Sequence, residues 1–230
     1  MKTLNISLAL TLLLALPSSS ALAFDHKPLQ GLLSSFVKRG RVDYAGIRKD
    51  AAARARLDRY VAAVGAARLN GKKRNTQLAF YLNAYNAIVI KSVVDRWPVT
   101  SVMKVKGFFK RFKHRVAGQS VSLDQLENRV IRPRFKEPRI HFALVCAARS
   151  CPPLSSSAFR AATLERALER LTRAFINGSH GVRVRGDKAW VSKLFTWYEG
   201  DFKAAAGSAG KYLAKYHKKH GAVLARGGYS

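Results

Sequence analysis

Residues 78–94 read Leu-Ala-Phe-Tyr-Leu-Asn-Ala-Tyr-Asn-Ala-Ile-Val-Ile-Lys-Ser-Val-Val, and this stretch decides the fold. Apolar residues occupy every side of a helix drawn through it, which is typical of a helix buried at the centre of a domain. Asn75 can cap its start, and Pro98 follows its end. Asn83 and Asn86 share one face of this helix. Because a buried amide without a partner costs about 1–3 kcal/mol, the two side chains either bond to neighbouring backbone or line a site.

Helices and short strands are predicted on both sides of this helix. Apolar residues recur at helical spacing over residues 50–69 and again over 164–175. Residues 99–121 predict two short strands around a Gly turn, and residues 182–191 alternate across a Gly-Asp turn as a hairpin. We therefore expect one mixed α/β domain, in which the buried helix packs on a small, mainly antiparallel sheet.

A capping box begins the helix that carries the acidic candidate Glu127. Ser122 stands at the cap and Gln125 at the third helical position, and the helix is predicted to end before Pro133. An aromatic-rich helix follows the second hairpin from Leu194 onwards.

The ends of the chain differ in composition from its middle. Residues 1–23 hold one lysine, an apolar run and an Ala-Leu-Ala end, which predicts a signal peptide cleaved after Ala23. That run is too short for a membrane span, which needs roughly 20 residues, so no transmembrane segment is predicted. Residues 24–206 are predicted to form the domain, and 207–230 a basic tail with at most one helix.

The charge is strongly positive. The chain has 42 Lys and Arg against 13 Asp and Glu, a formal net charge of +29, and removing residues 1–23 takes away one lysine and leaves +28. Such a field favours anionic partners. In an exported protein these are lipid headgroups, wall polymers or extracellular nucleic acid, and no specific nucleic acid is predicted. The alternative is a general basic bias without a specific partner.

Both cysteines and one histidine fall within residues 139–154, Arg-Ile-His-Phe-Ala-Leu-Val-Cys-Ala-Ala-Arg-Ser-Cys-Pro-Pro-Leu. The apolar run from Ile140 to Val145 predicts a buried strand that enters a tight loop. Cys146 and Cys151 either form a disulfide, worth about 2 kcal/mol for so small a loop, or one of them is a nucleophile activated by a nearby base.

The strand prediction limits the choice of base. On a regular strand, His141 and Cys146 would face opposite sides and lie roughly 17 Å apart. A Cys–His pair then needs a bulge, a loop that brings Cys151 back towards His141, or a different histidine. Glu127 is the carboxylate predicted to orient the histidine. Two cysteines and one histidine at these spacings match no zinc pattern, so neither a metal nor a cofactor is predicted.

Four segments in this order resemble the family known as domain of unknown function 547 (DUF547), over roughly residues 40–205. The segments are 77–87, 123–127, 140–154, and Ser192-Lys-Leu-Phe with Trp197 and Asp201-Phe202. The family is widespread, often exported in bacteria, and has no settled activity. By loose analogy, such a domain could have a rearranged papain- or transglutaminase-like fold.

The resemblance implies which residues fall on the family's signature positions. They are Asn83, Asn86, Glu127, His141, Cys146, Cys151 and Lys193. This chain has Asn128 where the family often has histidine and Val145 where it often has asparagine, so no catalytic role is carried over through these two positions.

Two functions remain open from the sequence. The first is cysteine-dependent acyl transfer or hydrolysis on a peptide or wall component, in which Cys146 or Cys151 attacks, His141 is the base and Glu127 orients it. Asn83, Asn86 and Lys193 are then expected to line the site. The second is a non-catalytic envelope domain in which the disulfide is structural and the basic surface holds an anionic polymer or lipid. Both functions place the mature protein in the periplasm or outside the cell.

Overall fold

The computed structural model of the protein describes residues 24–148 and 151–228. The predicted signal peptide, residues 1–23, lies outside the described residues. In the described part, no helix is both long and apolar enough to cross a bilayer.

Helices dominate the described residues. The α-helices are α1 (Lys27–Phe36), α2 (Tyr44–Lys49), α3 (Ala51–Ala66), α4 (Arg74–Asp95), α5 (Leu123–Gln125), α6 (Arg132–Phe135), α7 (Leu164–Ile176), α8 (Leu194–Trp197), α9 (Glu199–Ala206), α10 (Ala209–Tyr216) and α11 (Gly221–Ala225). A π-helical turn, Leu126–Ile131, joins α5 to α6, and short 3-10 helices cover Val102–Lys104, Pro138–Phe142 and Ala161–Thr163.

The strands of the described part form three separate antiparallel hairpins. They are β1 (Val37–Lys38) with β2 (Arg41–Val42), β3 (His114–Val116) with β4 (Gln119–Val121), and β5 (Val182–Arg185) with β6 (Lys188–Val191). The predicted mixed α/β class is therefore confirmed. The strands do not join into one sheet, so α4 packs mainly against α2, α3 and the turn at Ala161–Thr163.

Helix α4 is buried along most of its length, as its all-round apolar sequence predicts. Leu78, Phe80, Leu82 and Ile90 have no exposed surface, and they belong to the larger of two hydrophobic clusters. The predicted cap at Asn75 is wrong, because the helix already begins at Arg74 without a side-chain cap.

The smaller cluster joins the C-terminal helices to the β5–β6 hairpin. Phe142, Phe195, Phe202 and Leu213 are almost completely buried in it. The segment after Gly207 forms two helices, α10 and α11, where the sequence predicts at most one. Their buried apolar faces make this segment part of the core.

One strand prediction is wrong for a local reason, and another is confirmed. Residues 140–145 do not form a strand, because Pro138 begins a 3-10 helix and the Glu137 side chain accepts a hydrogen bond from the backbone of Arg139 at 3.1 Å. In the 99–121 region two short strands form around a Gly turn as predicted, since β3 and β4 pair across Ala117 and Gly118, both with positive φ. The capping box of Ser122 and Gln125 forms as predicted.

The side-chain amides of Asn83 and Asn86 each donate one hydrogen bond to the backbone and accept one from it. Asn83 donates to the carbonyl of Phe159 and accepts from its N–H, both at 2.9 Å. Asn86 donates to the carbonyl of Ala143 at 2.9 Å and accepts from the N–H of Val145 at 3.0 Å. These four bonds tie residues 143–159 to α4 at both ends.

We expect Asn83→Ala and Asn86→Ala each to lower the free energy of unfolding by about 1–3 kcal/mol, because each leaves two buried backbone groups without a partner. Urea denaturation monitored by circular dichroism measures the change. Asn75→Ala, on the same helix but without a capping bond, is the matched control and should change stability by less than about 0.5 kcal/mol. Equal losses of unfolding free energy in all three variants would show that the hydrogen bonds of Asn83 and Asn86 do not stabilise this backbone.

Candidate functional site

Four of the predicted site residues line one open cleft of about 220 Å³. Glu127 comes from the π-helical turn, His141 from the 3-10 helix after Pro138, and Cys146 and Cys151 from the loop that follows. A regular strand would have held His141 and Cys146 on opposite faces. The 3-10 helix shortens and turns the backbone, and both side chains reach the same cleft.

His141 lies at the junction of the two hydrophobic clusters, since its neighbour Ile140 packs in the larger one and Phe142 in the smaller one. The imidazole is only 3% exposed. It stacks on the ring of Tyr198, with 3.7 Å between centroids and 20° between planes. Its orientation is therefore fixed by packing as well as by hydrogen bonding.

Asp201, and not Glu127, is the carboxylate that holds the histidine. His141 Nε2 lies 2.8 Å from Asp201 Oδ2, and Asp201 also receives two hydrogen bonds from Arg132, at 2.8 and 3.0 Å. The hydrogen bond from His141, followed by those from Arg132, holds the pKa of Asp201 well below its usual range. Glu127, the predicted orienting carboxylate, lies 3.9 Å from the other ring nitrogen, Nδ1, whereas Asp201, 60 residues after His141 in the chain, makes the direct hydrogen bond.

The other ring nitrogen of His141 faces a different carboxylate. An ionised Asp201 only accepts hydrogen bonds, so Nε2 carries a proton, and in the neutral form of the ring Nδ1 is the acceptor. Nδ1 has no hydrogen-bond partner among the described residues, and it lies 3.9 Å from Glu127 Oε1. The histidine therefore presents an unused, buried acceptor to the cleft.

Two tyrosines border the Glu127 carboxylate. The Tyr85 hydroxyl donates to Glu127 Oε2 at 3.2 Å. Burial, and after it the charge of Glu127, raises the pKa of both Tyr85 and Tyr198 well above the usual value. Both phenols therefore stay protonated and act as hydrogen-bond donors at neutral pH.

Cys146 and Cys151 form a disulfide at the edge of the cleft, with 6.1 Å between their Cα atoms. Both residues are partly exposed, which leaves the bond open to a reductant from solvent. Neither sulfur can act as a nucleophile while the disulfide is intact, since the reactive form of cysteine is the thiolate.

The remaining candidates lie away from the cleft wall. Asn83 and Asn86 bond to backbone and position the loop, as described above, and neither is among the residues that line the cleft. Lys193 is exposed at the start of α8, where its carbonyl accepts from the Trp197 N–H at 2.8 Å. In residues 24–148 and 151–228, no group of three or more His, Cys, Asp or Glu side chains is placed to hold a metal ion.

Sequence reasoning missed Asp201 and Arg132 as members of the site. Asp201 stands inside the aromatic-rich segment that the sequence predicts as a docking helix, and only its place in the family resemblance marked it. Arg132 looks like any of the 42 basic residues. Arg132 lies one turn after Asn128 and donates to its Oδ1 at 2.7 Å. Its place in the site follows only from its contact with Asp201 on α9.

These features define a mixed α/β domain with a disulfide beside a buried histidine–carboxylate pair. Residues 69–176 match the family model described as "Protein of unknown function, DUF547", which confirms the resemblance over this part of the chain. The matched residues include α4, Glu127, His141 and both cysteines, whereas Lys193 and Asp201 lie beyond them. No curated protein and no solved structure matches the chain significantly, so the papain- or transglutaminase-like analogy stays a prediction.

We expect Asp201→Asn to weaken the preference of His141 for the tautomer that carries the proton on Nε2. A hydrogen bond to a charged group is worth about 1.5–3 kcal/mol, a preference of roughly 10- to 150-fold for the Nε2–H form. Nitrogen-15 NMR of the imidazole should show mainly this form in the wild type, with a minor Nδ1–H population that rises about tenfold in the variant. Asp58→Asn, which removes an exposed carboxylate paired with Lys91, is the control. Unchanged tautomers in Asp201→Asn would contradict the assignment.

Proposed function

We propose that this protein is an exported, cysteine-dependent acyl hydrolase or transferase of the cell envelope, held inactive while Cys146 and Cys151 are joined. One observation carries the proposal: both sulfurs line the same cleft as the unpartnered Nδ1 of His141. A nucleophile, a base and a carboxylate behind the base are the groups that thiol acyl transfer requires. The predicted signal peptide supports export.

The proposed reaction begins with reduction of the disulfide by a dithiol, which is itself oxidised to a disulfide. One cysteine thiol then passes its proton to Nδ1 of His141, and the thiolate attacks the acyl carbon. The tetrahedral intermediate collapses to a thioester as the leaving group takes the proton from His141. Water or another acceptor then attacks the thioester, gives its proton to Nδ1, and restores the thiol.

Asp201 is a positioning residue in this scheme. It holds the Nε2 proton, so that Nδ1 is the atom that faces the cleft and carries the transferred proton. Arg132 keeps Asp201 ionised and in place. Tyr198 covers the face of the imidazole and limits the access of water to it.

We expect the reduced protein, but not the oxidised one, to be acetylated by p-nitrophenyl acetate on a single cysteine. General-base catalysis contributes about 10²–10⁴-fold, so His141→Asn should slow the acetylation by about 100-fold or more. Stopped-flow release of nitrophenolate gives the rate, and peptide mass spectrometry gives the acetylated residue.

His180→Ala is the matched control, because His180 is exposed and lies outside the cleft. It should react at the wild-type rate. Circular dichroism confirms that the variants and the reduced wild type keep the fold. Equal rates for the reduced wild type and His141→Asn would exclude the proposed base.

The second candidate is a non-catalytic domain that binds an anionic polymer or lipid surface, and the intact disulfide favours it. Under this proposal the basic surface gives the affinity and the disulfide fixes the loop. Basic residues are spread along the chain, and the formal net charge is +29. Binding to such a surface would depend on salt, because exposed charges are screened over about 8–10 Å near physiological ionic strength.

We expect the oxidised protein to sediment with vesicles that contain an anionic phospholipid at low salt, and to lose this binding at high salt, since screening shortens the range of the attraction. Vesicles of zwitterionic phospholipid alone are the control. Reduction of the disulfide should leave the binding unchanged. No sedimentation with anionic vesicles at low salt would exclude this second function.

A further inference from the structure

The described lining of the cleft differs in charge from the chain as a whole. The whole chain carries 42 basic and 13 acidic side chains. Among the described residues that line the cleft, Asp124 and Glu127 are acidic and none is Lys or Arg. A ligand that reaches this lining therefore meets carboxylates, although the chain as a whole is strongly basic.

The polar atoms that line the cleft are mainly acceptors, and one of them has no donor among the described residues. His141 Nδ1 is buried and unpartnered, and Glu127 Oε1 lies 3.9 Å from it, beyond hydrogen-bond distance. Asp124 Oδ1 receives one bond, from the Asn128 amide at 3.2 Å. A ligand that brings two or three N–H donors would satisfy these atoms, whereas a carboxylate or phosphate would add further acceptors.

An aromatic ring completes the mouth of the cleft. Trp197 lines it and is 70% exposed, which is unusual for so large an apolar side chain. The face of an indole attracts alkylammonium groups more strongly than any other side-chain ring does. The combination of two carboxylates, one unpaired imidazole nitrogen and an open indole face is typical of a site that recognises an amine.

We propose that the cleft binds a primary alkylammonium group, which is the acyl acceptor of the transfer reaction. This inference rests on the proposed function for the role of the amine, but the binding itself needs no thiol chemistry. The ammonium first loses a proton to His141 Nδ1. That proton passes to solvent, and the neutral amine attacks the thioester carbonyl. The second N–H proton of the tetrahedral intermediate moves to Nδ1 of His141, the C–S bond breaks as the amide forms, and the leaving thiolate takes this proton from Nδ1.

The test compares three probes of equal length on the oxidised protein: n-butylammonium, n-butanol and butyrate, at one ionic strength. We expect butylammonium to shift the NMR signals of the His141 ring and the Trp197 indole N–H, and the other two probes to leave them in place. The indole of Trp190, 42% exposed on β6 and outside the cleft, is the internal control.

Two variants locate the interaction. Asp124→Asn should weaken butylammonium binding about 2- to 5-fold, as expected for a partly exposed ion pair. Glu127→Gln should weaken it about 10-fold or more, because this carboxylate is buried. Asp58→Asn, a surface carboxylate outside the cleft, should leave the affinity unchanged.

The outcomes separate this inference from the proposed function. If butyrate shifts the signals of His141 and Trp197 and butylammonium does not, the overall positive field prevails and the amine site is overturned. The same holds if no probe shifts them. If butylammonium binds and the reduced protein forms no thioester, the amine site stands and the acyl-transfer function fails. If the thioester forms but amines never bind, water is the acceptor and this inference is wrong.

Discussion

The two asparagine amides of α4 are the constraint on which the site depends. Asn86 holds the backbone just before Cys146, at Ala143 and Val145, and Asn83 holds Phe159, eight residues after Cys151 (159 minus 151). Because α4 is buried along most of its length, these bonds anchor the proline-containing segment around the cysteines to a rigid element. A site built on such a support keeps its geometry better than one on a free loop.

The histidine is held by contacts that come from both hydrophobic clusters. Its own backbone follows the 3-10 helix, in which Ile140 packs in the larger cluster and Phe142 in the smaller one, and its ring packs on Tyr198 and Phe202. Asp201 then joins the imidazole to Arg132. The polar contacts at the site thus connect two parts of the core that are otherwise apolar.

Sequence patterns correctly predicted the elements that are stabilised by residues close together in the chain. The capping box of Ser122 and Gln125, the amphipathic α7 and the β5–β6 hairpin all depend on residues a few positions apart, and all three are present. The run from Ile140 to Val145 is different. It is apolar because it reaches both clusters, and a short apolar run alone does not distinguish a strand from a helical turn.

The site itself could be predicted only in part. Glu127, His141 and the cysteines were found by residue type and by the family resemblance, and they line one cleft. The pairing of His141 with Asp201 depends on how α9 packs, and the spacing of residues in the sequence does not predict that packing. Net charge gives no information on the cleft either, because a sum over the chain does not show that the described lining holds two carboxylates and no Lys or Arg.

The position of Asp201 sets a lower limit on the length of chain that contains the whole site. The segment matched to the family stops at residue 176, 25 residues before Asp201 (201 minus 176). A shortened chain that ended there would retain the imidazole, both sulfurs and Glu127, but it would lack the group that fixes which ring nitrogen carries the proton. The C-terminal helices therefore belong to the chemistry of the cleft, and domain boundaries drawn from the match alone would divide it.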